Sequence, residues 1–323
     1  MPTSKQVDSS TVDAALSRFG LRGPATFLGH SRNHVFAVES GQQQFILRLT
    51  SDASESFDDV ESELDWTIHL KRHAVTIANP CSSRSGRLVE WLETSGGGYS
   101  ACVFERAPGR ELRFHEDAND WDRGIHRQLG ALLGKLHRAT SCYNPSPGVV
   151  RRRRWDGETV FHLHQAAGVL PESDRELQAE FRDVWAWLEA LPEDSANFGL
   201  THNDAHRGNF FYDGEQITMF DTSSAFYCWF AYDLAQPLYY SGPVFFGDRA
   251  ATPEMLVELK EDLVAGYRQE FPISDEWAKR IDGFVRLRRL QMHSFMYRQY
   301  GGPLSDTWFV RNREAMRSKE PLV

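Results

Sequence analysis

The chain has 323 residues, 41% of them apolar and 25% charged, with a formal net charge of −9. This composition is that of a globular protein, and the length predicts two domains. The acidic balance argues against a nucleic-acid partner or an anionic membrane surface. No apolar run reaches the length needed to span a bilayer, so the class of membrane-spanning proteins is also excluded.

The cysteines are scattered without the spacing of a metal site or a redox pair. They are Cys81, Cys102, Cys142 and Cys228. We expect them to be free thiols in a reducing compartment. The first ten residues contain no apolar core of a signal peptide, so cytoplasmic residence is expected.

Hydrophobic periodicity divides the first 105 residues into a small sheet and helices. A helix is predicted at 11–19 and a longer one at 57–72, where apolar residues recur with helical spacing. Apolar runs bounded by turn residues predict two antiparallel strand pairs. These strands are 35–38, 45–49, 87–91 and 99–105.

The sequence Ala-Pro-Gly-Arg at 107–110 interrupts this pattern and is the predicted domain connection. Beyond it the chain is mainly helical. The predicted helices are 126–137, 175–191, 231–240, 252–271 and 275–300. We therefore predict an α+β, two-lobed fold with a sheet-rich lobe (1–105), a hinge (106–109) and a helical lobe (110–323). A nucleotide cleft between lobes is expected, since ligand sites favour domain interfaces.

The strongest functional signal is a set of polar residues with fixed spacing: His202, Asp204, Asn209 and Asp221. Two apolar runs separate the last two, and Asp213-Gly214 lies between these runs. Asp-Gly is typical of a tight β-hairpin turn. Such a hairpin would bring the side chains of Asn209 and Asp221 to one edge.

This spacing fits phosphoryl transfer from Mg·ATP, which needs a carboxylate beside the acceptor hydroxyl and oxygen ligands for Mg²⁺. Asn and Asp are also common at strand ends, where they cap turns. A metallohydrolase is a further interpretation, because His202-x-Asp204-x-His206 could bind zinc. It leaves the link to Asp221 unexplained, and no neighbouring His or Cys set completes the ligands.

The same residues resemble those of the family of aminoglycoside phosphotransferases, choline kinases and related small-molecule kinases. The resemblance rests on His202-x-Asp204-x-x-x-x-Asn209 with Asp221, and on Trp-Phe-Ala-Tyr-Asp-Leu-Ala at 229–235. Further similar stretches lie at 63–66, 103–109 and 134–137. This family has a protein-kinase-like fold, which the resemblance implies here.

The resemblance also implies roles in the helical lobe. Asp204 would be the catalytic carboxylate that accepts the proton of the acceptor hydroxyl, and Asn209 and Asp221 would bind Mg²⁺. His202 would brace the catalytic loop, although the residues alone also allow a general base there. His206 would either face a phosphate or cap the loop. Asp233 would be a buried aspartate at a helix start that steadies the same loop.

In the amino-terminal lobe the resemblance implies a nucleotide site. The turn containing Gly29 and Asn33 would cover the ATP phosphates, where backbone N–H groups can face anionic oxygens. An ordinary hairpin is the alternative for this turn. Glu105 and Ala107 would form the hinge that binds adenine through main-chain hydrogen bonds.

Arg48 occupies the position at which protein kinases place a phosphate-binding lysine. Arginine differs from lysine because its planar fork makes bidentate contacts. We predict an ion pair between Arg48 and Glu63 on the helix 57–72. Glu61 is the alternative partner, and an exposed strand arginine is the alternative role.

Two further stretches need a separate interpretation. Thr222-Ser223-Ser224 follow Asp221 where similar sequences often carry further acidic residues, so a second metal site would be weakened. The arginine run at 151–154 is expected to be solvated, with attraction of an anionic ligand at the cleft edge as the alternative. The aromatic residues at 227–240 are expected to be mostly core.

The chain is therefore predicted to be an ATP-dependent kinase with ATP and Mg²⁺ as cofactors. Its acceptor would be a hydroxyl of a small polar metabolite that is homoserine-, choline- or aminoglycoside-like. A Ser/Thr protein kinase and a non-catalytic nucleotide-binding regulator are the alternatives. Neither nucleic acid nor membrane is an expected partner, and these motifs do not encode the oligomeric state.

Overall fold

The computed structural model describes residues 7–30, 32–94, 97–112, 121–157, 175–242 and 251–300, with side chains up to 296. The chain forms two compact units. The first contains Met1–Pro108, Tyr143–Arg152 and Thr218–Ser223, and the second contains the remaining residues. Two segments distant in sequence thus fold with the amino-terminal unit, which no sequence pattern indicated.

The first unit is an antiparallel sheet with two helices. Its elements are α1 (Ser9–Phe19), β1 (Ala25–His30), β2 (Asn33–Ser40), β3 (Gln43–Ser51), α2 (Phe57–Arg72), β4 (Pro80–Cys81), β5 (Glu90–Thr94) and β6 (Gly97–Glu105). The strand order is β1-β2-β3-β6-β4, and β5 also pairs with β6. The predicted helices and strands are present, although β5 begins three residues after the predicted start of 87.

Alternation along β3 separates the two faces of this sheet. Leu47 and Leu49 are fully buried in the core that α1 covers. Arg48, between them, lies on the opposite face, because successive strand residues point to opposite sides. That face carries Cys102, the register partner of Arg48, in a cluster with Leu64 of α2. The pleat of β3 therefore directs Arg48 toward α2.

The second unit is mainly helical. Its elements are β7 (Arg110–Glu111), α3 (Arg123–Thr140), α4 (Arg175–Glu189), β8 (Phe198–Thr201), β9 (Phe210–Tyr212), β11 (Phe226–Trp229), α5 (Phe230–Ser241), α6 (Pro253–Glu270) and α7 (Asp275–Tyr300), while β10 (Ile217–Met219) begins in this unit and ends in the first. All five predicted helices are present. The α+β class predicted from the sequence is confirmed.

Helices α3 and α6 approach closely at two glycines. A Cβ atom on Gly130 would lie 2.0 Å from the carbonyl oxygen of Leu263, and one on Gly266 would lie 1.9 Å from that of Arg127. Only residues without a side chain allow this backbone contact. The close packing brings Tyr267 of α6 against His137 of α3, a contact that the site uses.

The predicted turn at Asp213-Gly214 is present between β9 and β10. The Asp213 N–H donates to the Gln216 carbonyl at 3.3 Å, and the φ angle of Gly214 is 105°. The Asp213 carboxylate also accepts the backbone N–H groups of Glu215 and Gln216, at 2.9 and 2.8 Å. The turn chemistry was therefore readable in the sequence, and the proximity of Asn209 to Asp221 stays a prediction.

The structure also tests three predictions from composition. All four cysteines are free thiols, as predicted. No helix within the described ranges has both the length and the apolar character needed to cross a membrane. The aromatic residues of 227–240 are mostly buried core, with Tyr240 partly exposed.

The arginine run at 151–154 is not uniformly solvated, so that expectation is wrong for one residue. Arg151 and Arg153 are exposed, whereas Arg152 is buried within the first unit. Arg154 forms an ion pair with Glu193 at 2.7 Å in the second unit. Burial of Arg152 is possible because its guanidinium meets oxygen acceptors, as a buried charge requires.

Candidate active site

A buried aspartate fixes the backbone of the loop that carries Asp204. The loop follows β8, which pairs with β11, and β11 continues into α5. Asp233, in the first turn of α5, accepts the backbone N–H groups of His202 at 2.8 Å and Asn203 at 2.7 Å. Asn203 has a φ angle of 63°, a left-handed conformation that asparagine tolerates better than most residues. Asp233 therefore braces the loop through its backbone.

Two neutral side chains complete the surroundings of Asp233. His137 Nε2 lies 3.0 Å from the Asp233 carboxylate, and His137 Nδ1 lies 2.9 Å from the Tyr267 hydroxyl. Burial lowers the pKa of His137, although Asp233 opposes the effect, and burial raises the pKa of Tyr267. The protonated phenol thus donates to Nδ1, and Nε2–H donates to Asp233.

Asp204 is surrounded by groups that can donate to it. Its Oδ1 lies 2.7 Å from Arg288 Nη2 and 3.4 Å from the Tyr240 hydroxyl. Its Oδ2 lies 3.1 Å from Asn209 Nδ2 and 3.3 Å from His206 Nε2. Burial would raise the pKa of Asp204, but the hydrogen bond of His206 and the charge of Arg288 outweigh it and hold the pKa well below its usual range. Asp204 is thus an ionised carboxylate, and its side chain is 25% exposed.

The ring of His206 donates to Asp204. The Gly208 N–H donates to His206 Nδ1 at 3.0 Å, so Nδ1 is an acceptor and Nε2 carries the ring proton. That proton faces Asp204 Oδ2. The sequence left open whether His206 faces a phosphate or caps the loop. In the structure it caps the short 3₁₀ turn Arg207–Asn209 and contacts Asp204.

Arg288 is the site residue that sequence reasoning missed. It lies on α7, and its guanidinium also donates to the Tyr240 hydroxyl at 2.6 Å and to Gln291 Oε1 at 2.9 Å. Arg288 continues a stripe of buried residues at helical spacing. These residues are Ile281, Phe284 and Val285. An arginine within an apolar stripe was therefore the signal that could have revealed it.

Substitution of Arg288 tests its effect on the ionisation of Asp204. In Arg288→Met the pKa of Asp204 rises, because a cation that favours the carboxylate is lost. The acidic limb of the kcat/KM profile against pH therefore moves to higher pH. Steady-state kinetics across the pH range measure this shift. Arg286→Met, from an exposed position on the same helix, is the control, and an unmoved limb in Arg288→Met would contradict the prediction.

Asn209 is oriented by Asp204. Its Nδ2 donates to the Asp204 backbone carbonyl at 2.9 Å and to the carboxylate at 3.1 Å. Only the amide nitrogen can donate, so the amide oxygen is the atom that remains for a ligand. His202 is fully buried, and its Nδ1 accepts the Asp204 N–H at 3.3 Å. This placement suits loop bracing and not proton exchange with a substrate.

In the first unit Arg48 forms the predicted ion pair with Glu63. The two guanidinium nitrogens lie 2.9 and 2.6 Å from the two carboxylate oxygens, and both residues are buried. The alternative partner, Glu61, is exposed, so that interpretation is wrong. Arg48 Nη1 also lies 3.6 Å from Asp221 Oδ1. The guanidinium of Arg48 is therefore paired with Glu63 and also lies beside Asp221, the predicted metal ligand.

Asp221 has a strained backbone and a partly exposed carboxylate. Its φ angle is 61°, in the left-handed region that non-glycine residues rarely occupy. Its Oδ1 accepts the Ser223 hydroxyl at 2.7 Å, and its side chain is 43% exposed. Strain of this kind persists where the surroundings enforce it, and it is concentrated at functional sites.

The predicted phosphate-covering turn joins β1 to β2. A Cβ atom on Gly29 would meet nothing within 4 Å, so there is open space on the side where a side chain would point. Asn33 is buried, and its Oδ1 accepts the Thr50 hydroxyl at 2.9 Å. That contact fixes the start of β2 against β3.

The predicted hinge follows β6. The Glu105 N–H donates to the Asn79 carbonyl at 2.9 Å, and the Arg106 N–H donates to the Gln44 carbonyl at 3.1 Å. No hydrogen bond within the described part of the chain uses the N–H of Ala107. A ligand could therefore take this donor without displacing a protein acceptor.

These features define a class of protein. One unit combines a sheet with an ion pair between Arg48 of β3 and Glu63 of α2, and the other carries an ionised aspartate followed by an oriented asparagine. This is a protein-kinase-like fold with the parts of a phosphotransferase. The model of the phosphotransferase enzyme family matches residues 25–271, and the chain belongs to this family. It is an ATP-dependent small-molecule kinase.

Relatives of this chain include kinases of small molecules. An amicoumacin kinase of Bacillus subtilis (strain 168) is 29% identical over 291 residues, which cover 88% of this chain and 84% of the relative. The solved amicoumacin kinase hAmiN, in complex with AMP-PNP, Ca²⁺ and Ami, has 25% identity and a TM-score of 0.87, covering 98% of this chain and 95% of that one. A microcompartment-associated aminopropanol kinase has 23% identity and a TM-score of 0.76, covering 96% and 94%.

Proposed function

We propose that this kinase transfers the γ-phosphoryl group of Mg·ATP to a hydroxyl of a small polar metabolite, with Asp204 as the base. The observation that supports this role most directly is an ionised, partly exposed carboxylate held by Asn209 and Arg288. Such a carboxylate orients an acceptor hydroxyl and accepts its proton as the oxygen attacks phosphorus. The bond between the γ-phosphorus and the β,γ-bridging oxygen would break, ADP would leave, and the transferred proton would then reside on Asp204.

We assign the divalent cation to Asn209 and Asp221. The donor set suits a hard cation, because a carboxylate and an amide oxygen are the ligands that Mg²⁺ prefers. The Nδ2 group of Asn209 is bound to Asp204, and Oδ1 of Asp221 is bound to Ser223, which supports the remaining oxygen of each side chain as a ligand. The bound cation would neutralise charge on the phosphates. The Ca²⁺ in the hAmiN complex supports a divalent cation as a cofactor of this chain.

We assign the nucleotide to residues of the first unit. Arg48, held by Glu63, would contact the phosphates, and the backbone around Gly29 and Asn33 would cover them. The main chain at Glu105 and Ala107 would bind adenine, for which the N–H of Ala107 is a suitable donor. The AMP-PNP in the hAmiN complex supports ATP as the phosphoryl donor.

We propose an acceptor that carries a hydroxyl together with other polar groups. Two relatives are named as an amicoumacin kinase and an aminopropanol kinase, and both names support this class of acceptor. Homoserine-, choline- and aminoglycoside-like compounds belong to the same class. Because one fold serves many substrates, the acceptor has to be identified by assay.

A screen for ATP consumption tests this function. The purified chain would be incubated with Mg·ATP and a panel of hydroxyl-bearing amines, amino acids, sugars and antibiotics, with Asp204→Ala as the blank. We expect phosphate transfer to a subset of the panel and none in the blank. Products detected by mass spectrometry should gain one phosphoryl group at a hydroxyl. Equal transfer by Asp204→Ala would reject the proposed mechanism.

A further inference from the structure

Thr222 links the turn after Asp221 to helix α2. Its hydroxyl donates to Glu63 Oε1 at 2.9 Å and lies 2.8 Å from the Thr67 hydroxyl. The same Glu63 oxygen accepts Arg48 Nη1 at 2.9 Å. Thr222, Thr67 and Glu63 are all buried, with at most 2% of their surface exposed. In this low-dielectric setting a hydrogen bond to a charged group is stronger than one on the surface.

Arg152 makes a second link between the same turn and α2. Its Nη2 donates to the Ser223 carbonyl at 2.6 Å, and its Nη1 donates to the Asp59 carbonyl at 2.8 Å. Nη1 also lies 3.3 Å from the carboxylate of Glu55. One buried guanidinium thus joins the turn to the first turn of α2. This contact gives a role to a residue of the arginine run.

We propose that Thr222 and Arg152 are positioning residues for Asp221, an inference that rests on the proposed metal-binding role of Asp221. We call the Thr222–Glu63 and Arg152–Ser223 hydrogen bonds the α2 clamp. The clamp holds both residues that follow Asp221 and so maintains its left-handed backbone, which an unrestrained chain disfavours. It also ties the turn that follows Asp221 to Glu63, the residue that fixes Arg48.

The α2 clamp gives a structural role to Thr222 and Ser223, which stand where similar sequences often carry acidic residues. Thr222 and Ser223 do not supply charge to a second cation. Thr222 donates to Glu63, and the Ser223 hydroxyl donates to Asp221 Oδ1 at 2.7 Å. A carboxylate at position 222 would lie against the buried Glu63 and would be repelled by it. The hydroxyl is therefore what this site requires.

Nucleotide binding with and without Mg²⁺ tests the proposal. The affinity for AMP-PNP would be measured by calorimetry in the parent and in the variants named below, with EDTA or with excess Mg²⁺. Loss of one buried hydrogen bond is expected to change an affinity by about tenfold. The gain is defined as the increase in AMP-PNP affinity when Mg²⁺ is added. We expect Thr222→Val to lower this gain by about tenfold and to leave the affinity without Mg²⁺ unchanged. Thr222→Ser keeps the donor and should keep the gain.

Matched variants distinguish a failure of the metal assignment from a failure of the positioning role. Arg152→Met should also reduce the gain from Mg²⁺, whereas Arg151→Met, an exposed neighbour, should not. If Asp221→Asn keeps the full gain, the metal assignment and this inference are both overturned. If Asp221→Asn loses the gain but Thr222→Val and Arg152→Met keep it, only the positioning role is overturned. An unchanged Mg²⁺-free affinity verifies that each variant is folded.

Discussion

Asp204→Asn is expected to reduce kcat by on the order of 10²–10⁴-fold, the usual contribution of a positioned general base. Asparagine has nearly the same shape as aspartate, but it keeps one acceptor oxygen, so either Arg288 or Asn209 loses its acceptor on this side chain. Its amide cannot accept a proton from the acceptor hydroxyl, which is the property that the reaction needs. Nucleotide binding should persist because the nucleotide is assigned to other residues.

Single-turnover kinetics with an acceptor found in the screen, together with calorimetry for AMP-PNP, measure both quantities. Asp213→Asn is the matched control, since Asp213 is an exposed aspartate nine residues later that caps the turn between β9 and β10. It should retain the parental kcat. If Asp204→Asn decreased kcat by less than about tenfold, Asp204 would orient the acceptor without accepting its proton.

The parts of the fold that could be predicted are those encoded locally. The helix Phe57–Arg72 begins after Ser56, whose side chain accepts the N–H of Asp59, and its apolar positions follow the helical period. Alternation along β3 places Arg48 on the face opposite Leu47 and Leu49. These two features are encoded within a few residues of the chain, whereas the pairing of Arg48 with Glu63 was predicted from the resemblance to kinases.

The contacts that could not be predicted join positions far apart in sequence. Arg288 reaches Asp204 across 84 positions, and Thr222 reaches Glu63 across 159. Nothing in the spacing of Thr222-Ser223-Ser224 distinguishes a lost charge from a hydrogen-bond donor. Helix packing and the course of the chain decide such contacts. Sequence patterns therefore indicate the proposed reacting groups, but they do not indicate Arg288 or the contact of Thr222.

Asp233→Ala is expected to lower the free energy of unfolding by on the order of 3 to 5 kcal/mol. The substitution leaves the buried N–H groups of His202 and Asn203 without their acceptor, and each such group costs about 1–3 kcal/mol. His137 loses the acceptor of its Nε2–H as well. The small cavity left by the carboxylate adds to the loss.

The same substitution should lower kcat where the protein is still folded, because the loop carrying Asp204 loses the acceptor that fixes its backbone. Urea unfolding followed by circular dichroism measures the stability, and kinetics below the transition measure kcat. Asp183→Ala, at an exposed position of α4, should change neither. Asp233→Asn keeps one acceptor oxygen and should fall between the parent and Asp233→Ala in both measurements. If Asp233→Ala lost stability but kept kcat, Asp233 would stabilise the second unit without holding the catalytic loop.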